Sequence, residues 1–337
     1  MNAGVAGCLA FGLAIAVLAG ADFPQVEISN DSLHAKVYLP DPERGYYRGT
    51  RFDWSGVIAS LKYKGHDYFG PLFDQHDPKV HDNIRGPVED FRTNNAGLGY
   101  DESKAGGTFI KIGVGVLRKA EEQRYRQANY YEIVNSGRWS SRKGRDWVEF
   151  VHELSDGKGY SYLYRKTVRL AKGKPELALE HRLRNTGARA IETAVYDHNF
   201  FIIDGQPSGP DSTVKFPFEL RATRGLRDAA GIRGSQIVYL RELAQREAII
   251  TTLEGFGKTA ADYDIRIENS KVRAGVRITG DRPLSNLVFW SGRRSLCPEP
   301  YINMHIEPGQ ESTWRINYEL YTLPALQKQQ ENNNHGR

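Results

Sequence analysis

Ile191-Glu192-Thr193-Ala194-Val195-Tyr196-Asp197-His198-Asn199-Phe200-Phe201 is the stretch whose reading decides the fold. Ile191, Thr193 and Val195 alternate with Glu192, Ala194 and Tyr196, the two-residue period of a half-buried strand, and His198 falls on the polar-tending face with Tyr196. The Gly/Pro/Asp cluster from Ile203 to Pro210 stops the strand and makes a loop beside the histidine. A histidine at such a junction is either an acid or base in a site or a structural residue with satisfied hydrogen bonds.

Working outward, Ser161 to Leu170 reads as a strand, Ala171-Lys172-Gly173-Lys174-Pro175 as a turn and Glu176 to Leu183 as a second strand. Asn185-Thr186-Gly187 makes the next turn and leads into the His198 strand, which predicts a three-strand meander. Lys271 to Ile278 and Trp314 to Tyr321 repeat the alternation, each with one apolar face. No helix of more than two turns is expected between residues 22 and 325, Leu240 to Glu247 being the best short candidate. Many strands, tyrosine-rich faces and short turns predict a large, mainly antiparallel β sandwich. No fixed-period repeat, P-loop, G-x-G-x-x-G after a strand or G-x-S-x-G is present, which disfavours propellers, nucleotide binding and α/β-hydrolases.

The 46 Lys and Arg against 41 Asp and Glu are scattered rather than gathered into a stripe, so a nucleic-acid partner is not expected. Met1 to Ala21 is an apolar run closed by Ala19-Gly20-Ala21. It reads as a secretory signal peptide cut after Ala21, with a membrane anchor as the alternative, and predicts a periplasmic or secreted protein free of the membrane after cleavage. Cleavage leaves Cys297 as the only cysteine and excludes an internal disulfide. Residues 326–337 are polar and aperiodic, a disordered tail by composition.

Glu299 lies between Pro298 and Pro300, which excludes regular pairing there and gives a stiff, extended segment that aims its side chain. A protonated His198 and an ionised Glu299 are complementary acid and base near neutral pH. Tyr46 to Trp54 combines aromatics with Arg48 and Arg51. It reads as a sugar platform around Trp54 with guanidinium donors, or as an edge strand with snorkelling arginines. Asp90 to Tyr100, with Arg92 and Asn95, is a polar loop able to line the same cleft or a plain surface loop. His66, Asp67, Asp74, His76, Asp77, His81 and Asp82 are dense enough to suggest a metal, but their spacing matches no strong ligand motif, and no metal is expected.

The succession from Leu177-Ala178-Leu179-Glu180-His181-Arg182-Leu183-Arg184-Asn185-Thr186-Gly187 to His198-Asn199-Phe200-Phe201 resembles the central segment of the aldose 1-epimerase (galactose mutarotase-like) superfamily. Cys297-Pro298-Glu299-Pro300, then Ile306-Glu307-Pro308-Gly309-Gln310-Glu311 and a closing strand, is similar to the family's catalytic glutamate segment and final Pro-Gly turn. The resemblance covers roughly residues 161 to 321. It implies an all-β galactose mutarotase-like supersandwich over residues 22 to 325, with the site on a concave sheet face. It also implies His198 as general acid, Glu299 as general base and Arg92 as a substrate-binding arginine, with Arg48 or Arg51 assisting. The motif departs from the family as His-Asn-Phe-Phe, and the family's earlier histidine and sugar-binding aspartate find no counterpart, which points to a changed substrate or reaction.

The expected function is an exported, monomeric, cofactor-free isomerase acting on a carbohydrate. The alternatives are a polysaccharide lyase or hydrolase on the same scaffold and a non-catalytic sugar-binding protein. If His198 and Glu299 act across one sugar ring, they should converge on one cleft, far enough apart to flank a pyranose without a direct hydrogen bond.

Overall fold

A computed structural model describes residues 23–324; the leader Met1–Ala21 and the tail at 326–337 lie outside the described residues. Those residues form antiparallel sheets with no α-helix, and none of their helices is long and apolar enough to cross a membrane. Leu240 to Glu247, the best helical candidate, is irregular, its turn held by Glu247 Oε2 accepting from the Ala244 N–H at 2.7 Å.

Two large sheets stack. The ten-stranded sheet includes the neighbouring strands Ala274–Gly280, Glu311–Thr322, Glu176–Asn185, Ser161–Leu170 and Trp147–Ser155, in that order. The six-stranded sheet runs Arg221–Ala222, Ala248–Glu254, Asn286–Gly292, Ser295–Ile306, Ile191–Phe200 and Gly86–Arg92. Leu177, Leu179, Leu183, Trp314, Ile316, Tyr318 and Leu320 all face the interior, the buried half of the alternation visible in sequence. Small sheets of four and three strands flank this sandwich.

The predicted meander is only half correct. Ser161–Leu170 and Glu176–Asn185 pair as a hairpin, but the next neighbour of Glu176–Asn185 is the closing Glu311–Thr322 strand. Asn185-Thr186-Gly187 instead carries the chain across the sandwich, so Ile191–Phe200 joins the other sheet between Ser295–Ile306 and Gly86–Arg92. Asn185 makes the crossing. Its buried amide donates to the Ile306 and Arg189 carbonyls at 2.8 Å each, and its Oδ1 accepts from the Gly187 N–H at 2.9 Å. Asn185→Ala is therefore expected to destabilise the fold by about 1–3 kcal/mol through unpaired buried carbonyls, checked by urea denaturation.

Between the sheets lies a second surprise for an apolar core. Glu89, Asp53, Lys166, Asp197 and Asn199 are essentially without solvent exposure. Lys166 Nζ bonds Glu89 and donates to the Ser55 carbonyl at 3.1 Å, while His181 Nε2 lies 2.6 Å from the other Glu89 oxygen, its ring stacked on Trp314. Burial raises the Glu89 carboxyl, but Lys166 and His181 outweigh it and hold the group well below the ordinary carboxylate range. Asp53 and Asp197 go the other way. Burial and the Glu89 charge push Asp53 to about 7 and Asp197 to about 8, against the pull of Lys166.

Candidate active site

The register of the six-stranded sheet builds the site. Tyr196 pairs with Tyr301 on one side and Asp90 on the other, His198 pairs with Val88, and Glu299 with Val288. Pairing to Ser295–Ile306 ends at Tyr196 and resumes in the same register at the Phe201–Leu296 bridge, which sets His198 opposite Glu299. Alternation then sorts the strand in two. Asp197 and Asn199 point between the sheets, where the Tyr318 hydroxyl lies 2.8 Å from Asp197 Oδ2 and 2.9 Å from Asn199 Oδ1; Tyr196 and His198 point to the opposite face.

Regular pairing around Glu299 is lost on one side only, because the strand pairs normally with Asn286–Gly292 through Phe289–Pro298 and Leu287–Pro300. Towards His198, prolines 298 and 300 have no N–H to give. Asn199 fills the gap, its side-chain amide donating to the Pro298 carbonyl at 2.9 Å and towards the Asp197 carbonyl at 3.3 Å. A hydroxyl donates one proton. The Tyr318 hydroxyl, donating to either Asp197 Oδ2 or Asn199 Oδ1, and the Asn199 amide on the Pro298 carbonyl together link the core to the backbone beside Glu299.

The reading of Ile191–Phe200 as half-buried holds only for its first half. From Val195 to Phe200 both faces are buried, because the irregular segment from Tyr46 to Trp54 lies over the outer face and is neither an edge strand nor an open platform. Phe52 meets the edges of His198 and Phe200 at centroid distances of 5.5 and 5.8 Å. Trp54, expected to face sugar, is 2% exposed, donates to the Gly49 carbonyl at 2.8 Å and stacks on Trp139. Gly113 permits this docking: at φ +78°, its backbone passes so close that a Cβ would sit 2.6 Å from Asp53 Oδ1.

His198 Nε2 and Glu299 Oε1 are 3.2 Å apart, and the two residues are 3% and 5% exposed. This corrects the expected spacing, since no pyranose fits between groups already in contact. The ring of His198 is fixed by stacking on Phe200, with centroids 3.9 Å apart, and its buried Nδ1 has no hydrogen-bond partner among the described residues. Burial and the charge of Arg51 hold His198 well below its ordinary range, so it is neutral at pH 7. Burial pushes Glu299 up to about 7, Arg51 and Arg92 opposing it only in part. The expected resting pair, imidazolium with carboxylate, is thus replaced by neutral imidazole beside a carboxyl that titrates near neutrality.

Arg51 is drawn to this face. It pairs with Asp82, lies 3.4 Å from Asp90 and donates to the Tyr196 hydroxyl at 2.9 Å. Arg92 donates to Asp90 at 2.9 and 3.0 Å and to Tyr196 at 3.1 Å. Lys111 adds a third cation on Asp90. Burial works against ionisation of Asp90, yet Arg92, Lys111 and Arg51 keep it far below the ordinary range. Arg48 stays apart, donating to the Glu43 carbonyl at 2.6 Å. Asn95 is exposed and shares a cavity of about 910 Å³ with Arg92.

Among the residues around the pair, Tyr196, Tyr301, Asp90, Lys111 and Trp290 have no site role in the sequence reading, and Asp82 enters it only as a member of the His/Asp cluster. Two-residue spacing was the available signal, because Tyr196, Tyr301 and Asp90 each sit two positions from His198, Glu299 or Arg92. Asp82 and Trp290 line a cavity of about 360 Å³, with the Trp290 ring 5.8 Å from that of His198. The His/Asp cluster stays together only in part: His81 Nδ1 lies 2.8 Å from Asp82 Oδ1 and Asp74 lines the same cavity, whereas His66 pairs with Asp204 at 2.7 Å and His76 stacks on Tyr46. No group of three or more His, Cys, Asp and Glu gathers as a metal cage among the described residues.

No family model and no curated sequence matches the chain. Solved structures do. A galactose mutarotase-like protein from Lactobacillus casei is 14% identical, with TM-score 0.54, over 88% of this chain and 100% of its own. One from Clostridium acetobutylicum is 13% identical, with TM-score 0.56, over 89% and 95%. A galactose mutarotase related enzyme from Lactobacillus acidophilus is 12% identical, with TM-score 0.56, over 89% and 98%. The likeness extends over most of the length of both partners in each comparison, and by its architecture the chain is a galactose mutarotase-like β-sandwich.

Proposed function

We propose that the protein is an exported carbohydrate isomerase of the aldose 1-epimerase type, with His198 and Glu299 as a coupled acid–base pair. The observation that carries this reading is their 3.2 Å contact beside Trp290, with the carboxyl pushed up to about 7. The anomeric hydroxyl and the ring oxygen of a sugar are bonded to the same carbon, so an acid and a base in mutual contact can serve both from one edge.

At rest below pH 7 the pair holds one proton, on Glu299. Shifting it to His198 gives the carboxylate and imidazolium without gain or loss of charge. Glu299 then takes the proton of the anomeric hydroxyl while His198 Nε2 donates to the ring oxygen. The bond from the anomeric carbon to the ring oxygen breaks as the carbonyl forms, C1 turns about its bond to C2, and reversal of the proton transfers closes the ring on its other face. The pair ends as it began, and no step calls for a cofactor.

This mechanism sets the sign of the pH dependence. Above about 7 the shared proton is lost and His198 has nothing to donate, so kcat/KM should fall with rising pH through that region, and the fall should vanish in Glu299→Gln. Polarimetry on freshly dissolved hexoses and uronic acids measures it. A profile that instead rises through pH 7 would show Glu299 acting alone as base, and unchanged equilibration of every sugar would remove the activity.

The near-complete burial of both side chains favours one other reading, a carbohydrate-binding protein without turnover. Sugar binding that survives His198→Ala and Glu299→Ala, with no change in optical rotation, selects it.

A further inference from the structure

The cavity of about 910 Å³ beside Arg92 lies outside the proton chemistry proposed for the pair and is at the large end of the roughly 300–1,000 Å³ typical of ligand clefts. Its lining carries Arg92, Lys119, Arg124 and Arg126 against a single carboxylate, Asp101. The nearby acid does not neutralise them: Glu122 is occupied by the hydroxyls of Tyr100 and Tyr131 and the amide of Asn129. Lys119 donates to the Tyr100 carbonyl at 2.9 Å and lies over that tyrosine's ring, and among the described residues none of Lys119, Arg124 and Arg126 has a carboxylate within ion-pair distance. Arg92, at the inner end, shares Asp90 with Arg51 and Lys111, so the floor carries no surplus negative charge to offset the rim.

A second observation is independent of charge. Tyr125 lines the cavity, yet its hydroxyl is buried with no hydrogen-bond partner among the described residues, its ring held by stacking on Tyr131 at 5.2 Å. A buried hydroxyl left unpaired costs free energy that a ligand oxygen would recover. The amides of Asn94, Asn95 and Gln123 at the lining suit hydroxyl groups, and the guanidinium forks of Arg124 and Arg126 suit carboxylates. Arg92 connects this cavity to the acid–base pair, because its Nη2 reaches the Tyr196 hydroxyl and the Tyr196 ring lies 6.2 Å from that of His198.

We propose that this cavity is a subsite for an acidic oligosaccharide, holding uronate carboxylates on Arg124, Arg126 and Lys119 and a sugar oxygen on Tyr125. The inference rests on the carbohydrate reading above and narrows it from sugars in general to chains bearing carboxylates. Exposed cations with no partner add ionic-strength-dependent attraction, which a neutral sugar does not elicit.

The test is calorimetric titration of the mature protein with trigalacturonate and with its methyl ester, which has the same sugar backbone without the charge. The acid should bind about ten-fold more tightly at low salt, and the advantage should shrink as salt is raised. Arg124→Gln combined with Arg126→Gln, both exposed positions, should weaken trigalacturonate by about five-fold or more and leave the ester little affected. Tyr125→Phe should weaken both ligands, with an unchanged circular dichroism spectrum. Equal affinity for acid and ester, or trigalacturonate binding indifferent to the double substitution, overturns the subsite. So does inorganic sulfate displacing trigalacturonate at equal concentration, since a free anion would then suffice. Uronate-selective binding without mutarotation of any sugar removes the proposed reaction and keeps the subsite; mutarotation of neutral sugars without uronate selectivity does the reverse.

Discussion

Lys166→Met should lower the unfolding free energy by about 3–5 kcal/mol, a large share of the roughly 5–15 kcal/mol that holds a typical domain together. Methionine preserves much of the stem, so lost packing is small; what disappears is the charge facing Glu89, which has no solvent exposure. Asp53 and Asp197 sharpen the effect, because their folded-state pKa values of about 7 and 8 lie above those of an unfolded chain. For such groups the stabilising contribution is complete below the unfolded pKa near 4 and is lost as pH rises through the folded values. The penalty should therefore be greater at pH 8 than at pH 5. Chemical denaturation at both values measures it. Adding Glu89→Gln to Lys166→Met should restore much of the loss, and a double variant no better than the single one would show that packing is the cause.

Glu299→Gln and His198→Gln should each lower turnover by about two to four orders of magnitude while the fold persists. Glutamine keeps the shape of Glu299 but cannot take up the hydroxyl proton, and it cannot supply the ring nitrogen of His198. Because both act on one proton, the double variant should be scarcely worse than either single one, whereas independent contributions would multiply. Thermal midpoints on the same variants separate the roles. A histidine that only fills space would leave activity per folded molecule intact while the midpoint falls, and that outcome would sink the pairing.

The strand content and sandwich architecture were legible because alternation is local: Trp314, Ile316, Tyr318 and Leu320 announce a buried face without reference to anything distant. The sheet that receives Ile191–Phe200 was not. Asn185-Thr186-Gly187 serves a hairpin or a crossing equally well, and the choice is made by Ile306, more than a hundred residues away, whose carbonyl Asn185 captures. The placement of His198 beside Glu299 came from motif order, while their 3.2 Å separation depends on two prolines and the compensating amide of Asn199. Tyr46 to Trp54 misled because aromatics and arginines look alike on a binding platform and in a covering segment. What distinguishes them is burial, which composition does not encode. The ionic layer around Glu89 escaped notice for a related reason: Lys166 lies between the inward Tyr164 and Val168, and His181 between the inward Leu179 and Leu183, so each sits within an otherwise aromatic or aliphatic run.

The interrupted ladder at prolines 298 and 300 has a mechanical consequence. Over the span holding the candidate pair, neighbouring strands are fastened by one side-chain amide instead of a run of backbone bonds, with intact pairing above and below. The sheet thus contains a slit. Its two lips carry His198 and Glu299, 3.2 Å apart, and the Asn199 amide is the side-chain tie across it, so Asn199→Ala would leave that stretch of the sheet without its fastening.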